Sequence, residues 1–581
     1  METISCEIGG TTLILTGKEM SIIIPRSFLS KMHWERLVQL VLQIVGSGLV
    51  WVLAPSTIAS LPSTPDKPAP RLRQMSIDAL SYLLFVLLIP PHHRLRKLYQ
   101  AIDWAKIDEM CAPVYENQKQ GAPAYPPQVL FRVLVLMFYS GTPFESATLH
   151  QLKTDVAWRW FVGLSILCPV PNAGTLSYFR KRLGVELFEA ILVKLIQWCN
   201  EAGLVGHLES YYDMTGVEAS ATQVTPYQRA VMLAKAISVY LDKEAGGVGA
   251  ISQEQIATIA LEVLQEQHPS LKKVKSAQIA ASQDKLTEKI DQSEPNWWQR
   301  LSQKVQELGQ QLSGVPQITL EQVQEVAQQL VPSLPQAFGN PDAAVGHTRT
   351  DGTLCGYRSG FLVDAKCRII TAVIFVALNV AEAPTLISAL DKHYEIFQRY
   401  PKRLGVDSAF DRDEVHQGTE QRHIESVATA RSRPGPKGVF HADAFIWNEQ
   451  GQLICPSGEV MEQVGGPYKN GTDRYRSSIE CAQCLLFEQC LTAKQQLKEN
   501  PHRELKTNTA AHKRAQQNRV RSRSDEGWGL RLRRFAAEGL FGHLNRYHNG
   551  DKAPYRNGLM DHIAQLMVAF TSNLEQLAAH A

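Results

Sequence analysis

Residues Gly356–Leu378 read GYRSGFLVDAKCRIITAVIFVAL and give a clear β-structure signal in this chain of 581 residues. Two runs rich in Val, Ile and Phe, Gly356–Val363 and Arg368–Leu378, flank the short segment Asp364–Lys366. Runs of β-branched and aromatic residues separated by a few polar ones are typical of strands joined by a turn. The stretch therefore predicts two neighbouring strands.

Strand patterns on either side extend this core. His207–Met214 predicts an earlier strand that ends in Asp213, and Lys402–Val406 predicts a later strand that delivers Asp407. Pro384–Tyr400, just before the later strand, is predicted to be helical. The order strand, strand, strand, helix, strand indicates an α/β core with an aspartate at the ends of two strands.

The composition is that of an ordinary globular protein, with 44% hydrophobic and 20% charged residues. At roughly 100–200 residues per domain, the length predicts about three to five units. The net charge of +3 is too small to indicate a partner. Residues 494–556, however, carry 15 Lys and Arg against 6 Asp and Glu, an excess that could face a polyanion.

Residues 76–205 predict a series of helices, of which Pro126–Tyr139 is strongly apolar. Thr175 is predicted to be the N-cap of a further helix. Three adjacent cations follow in that helix, Arg180, Lys181 and Arg182. Cations near a helix start suit phosphate contact, but a solvated basic face is an equally good interpretation.

A long segment, about 226–340, interrupts the core between its first two strands and is rich in Gln and helix formers. Apolar residues recur there at spacings of three and four, as in Leu301, Val305, Leu308 and Leu312, and again in Leu320, Val323, Ala327 and Leu330. This period is that of amphipathic helices whose apolar stripe packs against other helices. The segment is therefore predicted to be a helical insertion.

The first 75 residues are predicted to form an extension and a linker. Leu37–Ala54 contains no charged residue, which would suit a short membrane span or a signal peptide, although its Gln and Gly residues favour a buried or poorly ordered helix. Five prolines between residues 55 and 71 predict the linker.

A third acidic residue, Glu538, lies on a predicted helix that reads RRFAAEGLFG from Arg533 to Gly542. Neighbouring strand ends can bring Asp213 and Asp407 together, and a crossing helix can add this glutamate. Three carboxylates at one place repel one another, so the arrangement is tolerated mainly around divalent cations. Oxygen ligands suit Mg²⁺ or Mn²⁺, and two such ions can activate a nucleophile and stabilise the leaving oxygen of a phosphodiester.

These features resemble the DDE transposases of bacterial insertion sequences over about residues 90–575. The matching fragments are PPQVL from Pro126, WRWFVGL from Trp158, TLSYFRKRL from Thr175, DMT from Asp213, GY from Gly356, VDSAF from Val406, and Glu538 followed by FG at Phe541. Each fragment is short, and the resemblance rests on their order and spacing together.

The resemblance implies an α/β RNase H-like catalytic core with an all-α N-terminal region and a helical insertion. The implied domains are 1–75, the extension and linker; 76–205, a helical InsH-like DNA-binding domain; 206–225 plus 341–439, the core with both aspartates; 226–340, the insertion; 440–500, a cysteine-rich insertion; and 501–581, a basic segment and C-terminal helices carrying the glutamate. It also implies that Asp213, Asp407 and Glu538 are catalytic and hold two Mg²⁺ or Mn²⁺ ions. The implied partner is double-stranded DNA, both element ends and target, bound by a homodimer or larger assembly in the paired-end complex.

The family's glutamate motif has a Tyr seven residues before the Glu, an Arg four before it and a Lys seven after it. Arg534 matches the Arg, whereas Arg531 replaces the Tyr and Asn545 replaces the Lys, with Arg546 adjacent. DNA contact is predicted at all three of these arginines. Arg534 has two possible roles, pairing with Glu538 or phosphate contact, and the planar fork of a guanidinium favours the second.

Four of the ten cysteines lie close together, Cys455, Cys481, Cys484 and Cys490. Clustered thiols in a reducing compartment more often bind metal than form a disulfide framework. Four thiolates could close one structural zinc site, although only Cys481 and Cys484 form a CxxC pair. Reduced thiols that simply pack in a core are the alternative.

The predicted function is that of a transposase that binds the terminal inverted repeats of its element, cleaves a strand and transfers it to target DNA. Two alternatives stay open, a catalytically silent DNA-binding protein derived from such an enzyme and a general RNase H-like nuclease. No phosphate-binding loop is apparent, so no nucleotide cofactor is expected. The expected location is the cytoplasm, in association with the nucleoid and not with a membrane.

Overall fold

A computed structural model describes residues 5–8, 12–16, 21–25, 72–73, 75, 77–115, 123–142, 144–244, 251–283, 297–312, 319–335, 337–348, 352–430, 439–469, 471–477 and 481–580. The chain divides into two compact units. The first comprises Met1–Leu204, Arg546–Asn549 and Leu566–Ala581, and the second comprises Val205–Asn545 and Gly550–Gln565. Leu37–Ala54 and the proline-rich residues 55–71 lie outside the described residues. Among those that are described, no helix is long and apolar enough to cross a membrane.

The first unit begins with three antiparallel strands, which the sequence did not predict: β1 (Ser5–Ile8), β2 (Thr12–Thr16) and β3 (Ser21–Pro25). The described residues from 77 to 204 are helical, as predicted. Their helices are α1 (Ala79–Leu88), α2 (Arg94–Gln100), α3 (Ala105–Tyr115), α4 (Pro127–Tyr139), α5 (Glu145–Thr154), α6 (Val156–Val162) and α7 (Ala173–Glu201).

Helix α4 forms the centre of this unit, and its residues from Pro127 to Phe138 are all buried. Phe131 stacks on Phe188 of α7 and meets Phe570 edge-on, with ring centroids 5.8 and 4.9 Å apart. Apolar residues cover most of the surface of this helix, and such a helix is stable only when other elements surround it, which explains why the segment lies in the core.

The predicted N-cap of α7 is wrong by one turn, because the cap is Asn172 and not Thr175. The backbone N–H and the hydroxyl of Thr175 donate to the Asn172 side chain at 2.8 and 3.0 Å. Asn caps a helix at least as well as Thr does, and its position three residues earlier makes Thr175 the donor of the capping bond.

The strands of the second unit are, in chain order, β4 (Glu209–Ala219), β5 (Thr222–Gln223), β6 (Ala337–Phe338), β7 (Ala344–Thr348), β8 (Gly352–Asp364), β9 (Ile370–Ala377), β10 (Arg403–Val406), β11 (Glu425–Ala428), β12 (Ile446–Trp447), β13 (Leu453–Ile454), β14 (Val460–Gly465), β15 (Asp473–Ser477), β16 (Glu504–Thr507) and β17 (Lys552–Ala553). The helices that follow Leu204 are α8 (Pro226–Glu244), α9 (Gln253–Gln265), α10 (Trp297–Leu312), α11 (Leu320–Leu330), α12 (Glu382–Phe397), α13 (Asp413–Gln421), α14 (Phe487–Cys490), α15 (Ala493–Gln496), α16 (Thr509–Arg523), α17 (Asp525–His548) and α18 (Gly558–His580).

A mixed sheet forms the core of this unit, in the order β11–β10–β4–β8–β7, with β9 also paired to β8 and β17 to β4. β10 is parallel to β4 and β11, whereas β8 is antiparallel to β4, β7 and β9. Helix α12 joins β9 to β10 and packs on the sheet through Leu386 and Leu390, beside Tyr212 and Val406. The predicted α/β character is therefore confirmed, while the RNase H-like assignment stays a prediction.

The first core strand is longer than predicted, and this corrects the position of Asp213. β4 runs from Glu209 to Ala219, so Asp213 lies within the strand and not at its end. The reason is the partner strand, since β8 pairs with β4 as far as Gly356 opposite Glu218 and continues the hydrogen bonding past Asp213. β10, in contrast, ends at Val406, directly before Asp407, as predicted.

The described parts of the segment between β5 and β6 are mainly helical, as the sequence predicts, and α8, α9, α10 and α11 share one apolar core. The predicted stripe residues that lie in this core are Leu301, Val305, Leu308, Val323, Ala327 and Leu330. Leu320, at the start of α11, is instead 48% exposed. β5 pairs antiparallel with β6, so both ends of the insertion return to the same place.

A separate five-stranded antiparallel sheet, in the order β12–β13–β14–β15–β16, forms what we call the cysteine module, residues 439–507. Its core includes Phe445, Leu453, Met461 and Leu505. The module takes its last strand, β16, from residues that the sequence assigned to the basic C-terminal segment. Leu505 of that strand is 5% exposed, and its burial with residues of the other strands explains why β16 belongs to this sheet.

Candidate active site

Two aspartates lie side by side because their strands are parallel and in register. β10 pairs with β4 over four residues, the last pair being Val406 opposite Tyr212. Asp407 and Asp213 are the next residues of the two strands, so they lie at the same level of the sheet. Asp407 is further fixed by a hydrogen bond from the backbone N–H of Ala409, at 2.5 Å.

Helix α17 lies along the face of β4 that carries Asp213. Alternate residues of a strand share a face. Four alternate residues of β4 each contact a residue of α17, and the pairs are Glu209 with Arg533, Tyr211 with Leu530, Asp213 with Arg534, and Thr215 with Asn545. These contacts fix the helix on the strand and thereby bring Glu538 to the same face.

Gly405 of β10 allows this close approach. A Cβ atom at Gly405 would lie 2.8 Å from the Tyr211 ring and 3.5 Å from Leu530 of α17. The first separation is shorter than Cβ contacts in proteins allow, so any other residue would displace Tyr211 and the helix packed on it.

Arg534 connects two of the three predicted carboxylates. Its guanidinium lies 2.7 Å from Glu538 Oε1 and 3.4 Å from Asp213 Oδ2, and the arginine side chain is only 12% exposed. Glu538 is four residues after Arg534, a spacing at which helix side chains meet on one face. Of the two roles predicted for Arg534, the structure therefore contains the contact with carboxylates.

The surroundings of Asp213 disfavour its charge. Burial raises the pKa of Asp213 to about 6, and the negative charges of Asp407 and Glu538 act in the same direction. The hydrogen bond from the Met214 N–H, at 2.8 Å, and the positive charge of Arg534 oppose this rise. One guanidinium does not balance three carboxylates, and a divalent cation has the charge and the preference for oxygen ligands that would do so.

Two further acidic residues after β10 have partners of their own, Asp411 at the end of a turn and Asp413 at the start of α13. Asp411 accepts a hydrogen bond from Asn518 at 3.1 Å and contacts the His416 ring at 3.0 Å. Asp413 pairs with Arg514 at 2.7 Å. Both carboxylates hold the loop to neighbouring helices, which distinguishes them from the pair Asp213 and Asp407.

The three adjacent cations of α7 have different environments. Lys181 is exposed, and Arg182 is half-buried and donates to the Tyr178 hydroxyl at 2.9 Å. Arg180, in contrast, is 4% exposed and pairs with Glu145 of α5. Its burial contradicts the predicted phosphate contact at Arg180, because a DNA backbone cannot reach a guanidinium enclosed by α5 and α7.

The basic stretch at residues 494–556 is partly neutralised within the protein. Its internal ion pairs include Arg514 with Asp413, Arg519 with Asp443, and Arg533 with Glu209. Arg546 is exposed near the end of α17, and Arg531 is half-buried with its guanidinium 5.2 Å from the Trp528 ring centre. The local charge excess is therefore larger than the number of cations that a DNA backbone could contact.

Four cysteines from three parts of the cysteine module line one small cavity. Cys455 follows β13, Cys481 and Cys484 lie in the turn after β15, and Cys490 ends α14. Burial raises the pKa of the Cys490 thiol to about 11, with smaller contributions from the other three cysteines, and the charge of Arg503 opposes the rise. The structure thus brings together all four cysteines that the sequence predicts as ligands.

Backbone donors point at two of these sulfurs. The N–H of Leu486 donates to Cys484 Sγ at 3.4 Å, and the N–H of Arg503 donates to Cys481 Sγ at 3.3 Å. Hydrogen bonds to a ligand atom from the surrounding protein orient it and stabilise its charged form. Four sulfurs around one cavity, two of them with such donors, fit the chemistry of a structural zinc site.

Two models of known protein families match the chain. A transposase domain (DUF772) matches residues 85–182, and a transposase DDE domain matches residues 454–578. The second match includes Glu538 and the four cysteines of the module, whereas Asp213 and Asp407 lie outside both matches. No curated protein and no solved structure gives a significant match. Both family matches are to transposases, and they support a DDE transposase of insertion-sequence type, the family that the sequence resembles.

Proposed function

We propose that this protein cleaves DNA at the ends of its own element and joins them to target DNA, with Asp213, Asp407 and Glu538 as its metal-binding carboxylates. The observation that carries the proposal is the contact of Arg534 with carboxylates from both β4 and α17. These elements are distant in the chain, yet they place acidic groups on one face of the mixed sheet. We propose that this sheet, residues 206–225 and 341–439, is an RNase H-like catalytic core.

The residues present fit divalent cations. All three predicted ligands are carboxylates, the hard oxygen donors that Mg²⁺ and Mn²⁺ prefer. The raised pKa of Asp213, caused first by burial and then by Asp407 and Glu538, marks a position where added positive charge is favourable. Two such ions, when bound, supply an activated nucleophile and stabilise the leaving oxygen of a phosphodiester.

The protein's own residues have distinct tasks in this scheme. Asp407 is held by its hydrogen bond from Ala409, so its carboxylate is fixed before any ligand arrives. Asp213 must be ionised to bind a cation, and a pKa of about 6 leaves it largely ionised at neutral pH. Arg534 keeps Glu538 directed towards Asp213 through contacts with both.

The DNA substrate is proposed from the transposase matches and from accessible cations. Lys181, Arg182, Arg531 and Arg546 are exposed or half-buried, so each can approach a phosphate. Arg180 is not included because it is buried. Joining two element ends further calls for a homodimer or a larger assembly in the paired-end complex, and the DNA partner would place the protein at the nucleoid.

Two other functions use parts of the same structure. A catalytically silent DNA-binding protein would need the cations but not the carboxylates, and a general RNase H-like nuclease would need the carboxylates but not sequence-specific end binding. The grouped carboxylates favour an enzyme over the silent protein. The match of residues 85–182 to a transposase domain favours a transposase over a general nuclease.

A cleavage assay on DNA carrying the element's own ends tests the proposal. Asp213→Ala, Asp407→Ala and Glu538→Ala should each abolish Mg²⁺-dependent strand cleavage, because the loss of one ligand disorganises the metal pair. Binding to the ends should stay within a few-fold of wild type, since affinity depends chiefly on phosphate contacts elsewhere.

Glu218→Gln is the matched control on the same strand, because Glu218 is exposed and pairs with Lys552 away from the three carboxylates. It should cleave at the wild-type rate. Wild-type cleavage by any of the three alanine variants would remove that residue from the site. A wild-type protein that binds the ends but never cleaves them would favour the silent DNA-binding protein.

We also propose that Cys455, Cys481, Cys484 and Cys490 hold one structural zinc. A buried thiol with a pKa of about 11 is neutral at physiological pH, so metal binding would have to be coupled to loss of the Cys490 proton. The metal would then link three parts of the module whose own apolar core is small.

Zinc content measured on protein purified without chelator tests this site. Wild type should contain about one zinc per chain if four thiolates close one site. Cys484→Ser should lose the metal and make residues 439–507 sensitive to protease, whereas Cys367→Ser, a half-buried cysteine outside the cavity, should retain both metal and resistance. A zinc-free wild type with a protease-resistant module would leave packing thiols as the explanation.

A further inference from the structure

Asn518 of α16 occupies an unusual position at the edge of the core sheet. Its side chain is 1% exposed and makes three hydrogen bonds. The Ala428 N–H donates to Asn518 Oδ1 at 3.0 Å, and Asn518 Nδ2 donates to the Ala428 carbonyl at 3.2 Å and to Asp411 Oδ1 at 3.1 Å. One amide thus satisfies both backbone groups of one residue and a carboxylate as well.

The backbone partner, Ala428, is the last residue of β11, which is an edge strand of the sheet in the part of the chain that is described. Edge strands have N–H and C=O groups that no neighbouring strand satisfies. The amide of Asn518 presents an acceptor and a donor in the arrangement that a peptide of a further strand would present. It therefore completes the sheet beside Ala428.

Both groups held by Asn518 lead directly to Asp407. Ala428 pairs with Val406, the residue that precedes Asp407 in β10. Asp411 closes the 3₁₀ turn that Asp407 caps, with its N–H donating to the Ser408 carbonyl at 3.3 Å. The aspartate is therefore flanked on one side by a strand pair and on the other by a turn, and Asn518 holds each of them.

We propose that Asn518 is a positioning residue for Asp407, which keeps that carboxylate in the geometry needed to bind a divalent cation. This inference rests on the proposed function, because it assumes that Asp407 is a metal ligand. Asn518 does not touch the carboxylate of Asp407 and is not a catalytic residue. Its effect is exerted through β11 and through the turn that ends at Asp411.

The chemistry of the amide explains why an asparagine is required. Alanine would remove all three hydrogen bonds and leave the buried N–H and C=O of Ala428 without these partners. Aspartate has nearly the same shape but loses both donated bonds, and it would set a second carboxylate against Asp411. Either change removes hydrogen bonds by which Asn518 holds β11 and the turn beside Asp407, while leaving the proposed metal-binding residues themselves intact.

The same helix provides a matched control. Gln516, two residues earlier, also uses its amide on the backbone of a strand residue, since the Trp447 N–H donates to Gln516 Oε1 at 2.7 Å and Gln516 Nε2 donates to the Trp447 carbonyl at 2.8 Å. Trp447 belongs to β12 of the cysteine module and not to the core sheet. Gln516→Ala therefore removes comparable bonds from α16 without affecting Asp407.

Binding of Mn²⁺ to the full-length protein, followed by electron paramagnetic resonance, measures the effect independently of cleavage. We expect Asn518→Ala to raise the half-saturating Mn²⁺ concentration by at least about tenfold, the lower end of the effect of losing a group that orients a metal ligand. Gln516→Ala should bind Mn²⁺ as wild type does. In the cleavage assay, Asn518→Ala should need a correspondingly higher Mg²⁺ concentration but approach the wild-type rate at saturation, whereas partial unfolding would lower the rate at every Mg²⁺ concentration.

Asp407→Asn is the reference that separates the two proposals. If it binds Mn²⁺ as tightly as wild type, Asp407 is not a ligand and the proposed site itself fails. If Asp407→Asn weakens binding but Asn518→Ala does not, only the positioning role is overturned. Asn518→Asp, the variant closest in shape, is measured by the same criteria if the alanine variant does not fold.

Discussion

Replacing Asp213 with Asn should make the core sheet more resistant to opening above pH 6 and should abolish strand cleavage at the same time. The pKa of Asp213 is raised from its ordinary value of 3.8 to about 6, first by burial and then by the charges of Asp407 and Glu538. Asparagine has nearly the same shape and keeps the acceptor for the Met214 N–H. The substitution therefore removes an unfavourable charge and little else.

The pKa values of Asp213 in the unfolded chain and in the folded protein determine the direction and the pH range of the stability change. Between them, the folded protein retains a proton on Asp213 that the unfolded chain has released, so stability falls as pH rises from about 4 to about 6 and stays lower above that range. The interval from 3.8 to about 6 corresponds to about 3 kcal/mol, at ~1.4 kcal/mol for each pKa unit. The side chain is 30% exposed and the variant loses its attraction to Arg534, so we expect a gain of about 1–3 kcal/mol above pH 6 and none near pH 4.

Hydrogen exchange of the β4 peptide is the appropriate measurement, because a chain of two compact units need not unfold in a single step. A gain of about 1–3 kcal/mol corresponds to exchange that is about 5- to 150-fold slower in Asp213→Asn than in wild type at neutral pH. The ratio of the two rates, taken at equal pH and without added magnesium, should approach one as the pH is lowered to about 4.

Two further comparisons test the electrostatic origin of this effect. Glu218→Gln neutralises an exposed carboxylate of the same strand and should not slow exchange at any pH. Magnesium at 100 times its dissociation constant should stabilise wild type by about 2.7 kcal/mol but should have little effect on Asp213→Asn. Exchange in Asp213→Asn that is as fast as in wild type at neutral pH, or a rate ratio that does not change with pH, would refute the reasoning.

Three other substitutions probe separate parts of the molecule. Arg180→Ala should destabilise the first unit by about 3–5 kcal/mol, because it removes the guanidinium that pairs with Glu145, whose side chain is only 10% exposed. The exposed neighbour change Lys181→Ala should stay within about 0.5 kcal/mol, and equal thermal shifts would contradict this. Gly356→Ala should accelerate hydrogen exchange of β8 and reduce cleavage, because the added Cβ would lie 2.0 Å from the Val217 carbonyl oxygen. Exchange of β8 at the wild-type rate in this variant would show that the two strands can adjust. Asn545 donates to Thr215 at 3.4 Å, and Asn545→Lys restores the cation that the family has at this position. This change should steepen the salt dependence of DNA binding by a slope of about 1. An unchanged slope would place this position away from the DNA.

The sequence was sufficient to predict the position of a residue where that position depends on one local segment of the chain. The apolar run before Asp407 predicts a strand over Lys402–Val406, and β10 comprises Arg403–Val406. Six of the eight predicted stripe residues of the helical insertion are buried in its core, with Leu301 and Leu330 fully enclosed. In both cases the signal is the spacing of apolar residues within one short segment, with a period of two for a strand or 3.6 for a helix. Such a spacing predicts the element without knowledge of any distant partner in the chain.

Other features depend on partners that local patterns do not identify. β4 continues past Asp213 because β8 pairs with it, and β8 lies more than one hundred residues away in the chain. Arg180 is a different case, because its burial could have been predicted from the apolar residues around it in the sequence. Leu176, Phe179 and Leu183 are all buried, and their spacing of three and four places Arg180 on the inner face of α7. The sequence-based interpretation relied on the run of three adjacent cations and did not use the helical spacing of these apolar residues.

The cysteine module and α16 show the limit of sequence patterns most clearly. Only Cys481 and Cys484 have the spacing of a zinc-binding pair, so Cys455 and Cys490 could be added to the predicted site only because they lie nearby in the chain, and the fold brings all four to one cavity. Nothing around Asn518 marks it as the partner of a strand end and a turn that are 90 and 107 residues away. An asparagine in a basic helix is locally indistinguishable from one that faces solvent.

The balance of charge at the proposed site explains why cations would have to bind there before DNA. Arg534 already contacts Asp213 and Glu538, so it neutralises part of their charge and has less left for a phosphate. A phosphodiester placed beside these carboxylates and Asp407 would meet like charge from all three. Divalent cations held by these carboxylates would supply positive charge that offsets this repulsion and attracts a phosphate. Under the proposed function, a phosphate that binds an exposed cation such as Lys181 would meet no such group of carboxylates, so the protein could hold the ends before the scissile phosphate enters the site.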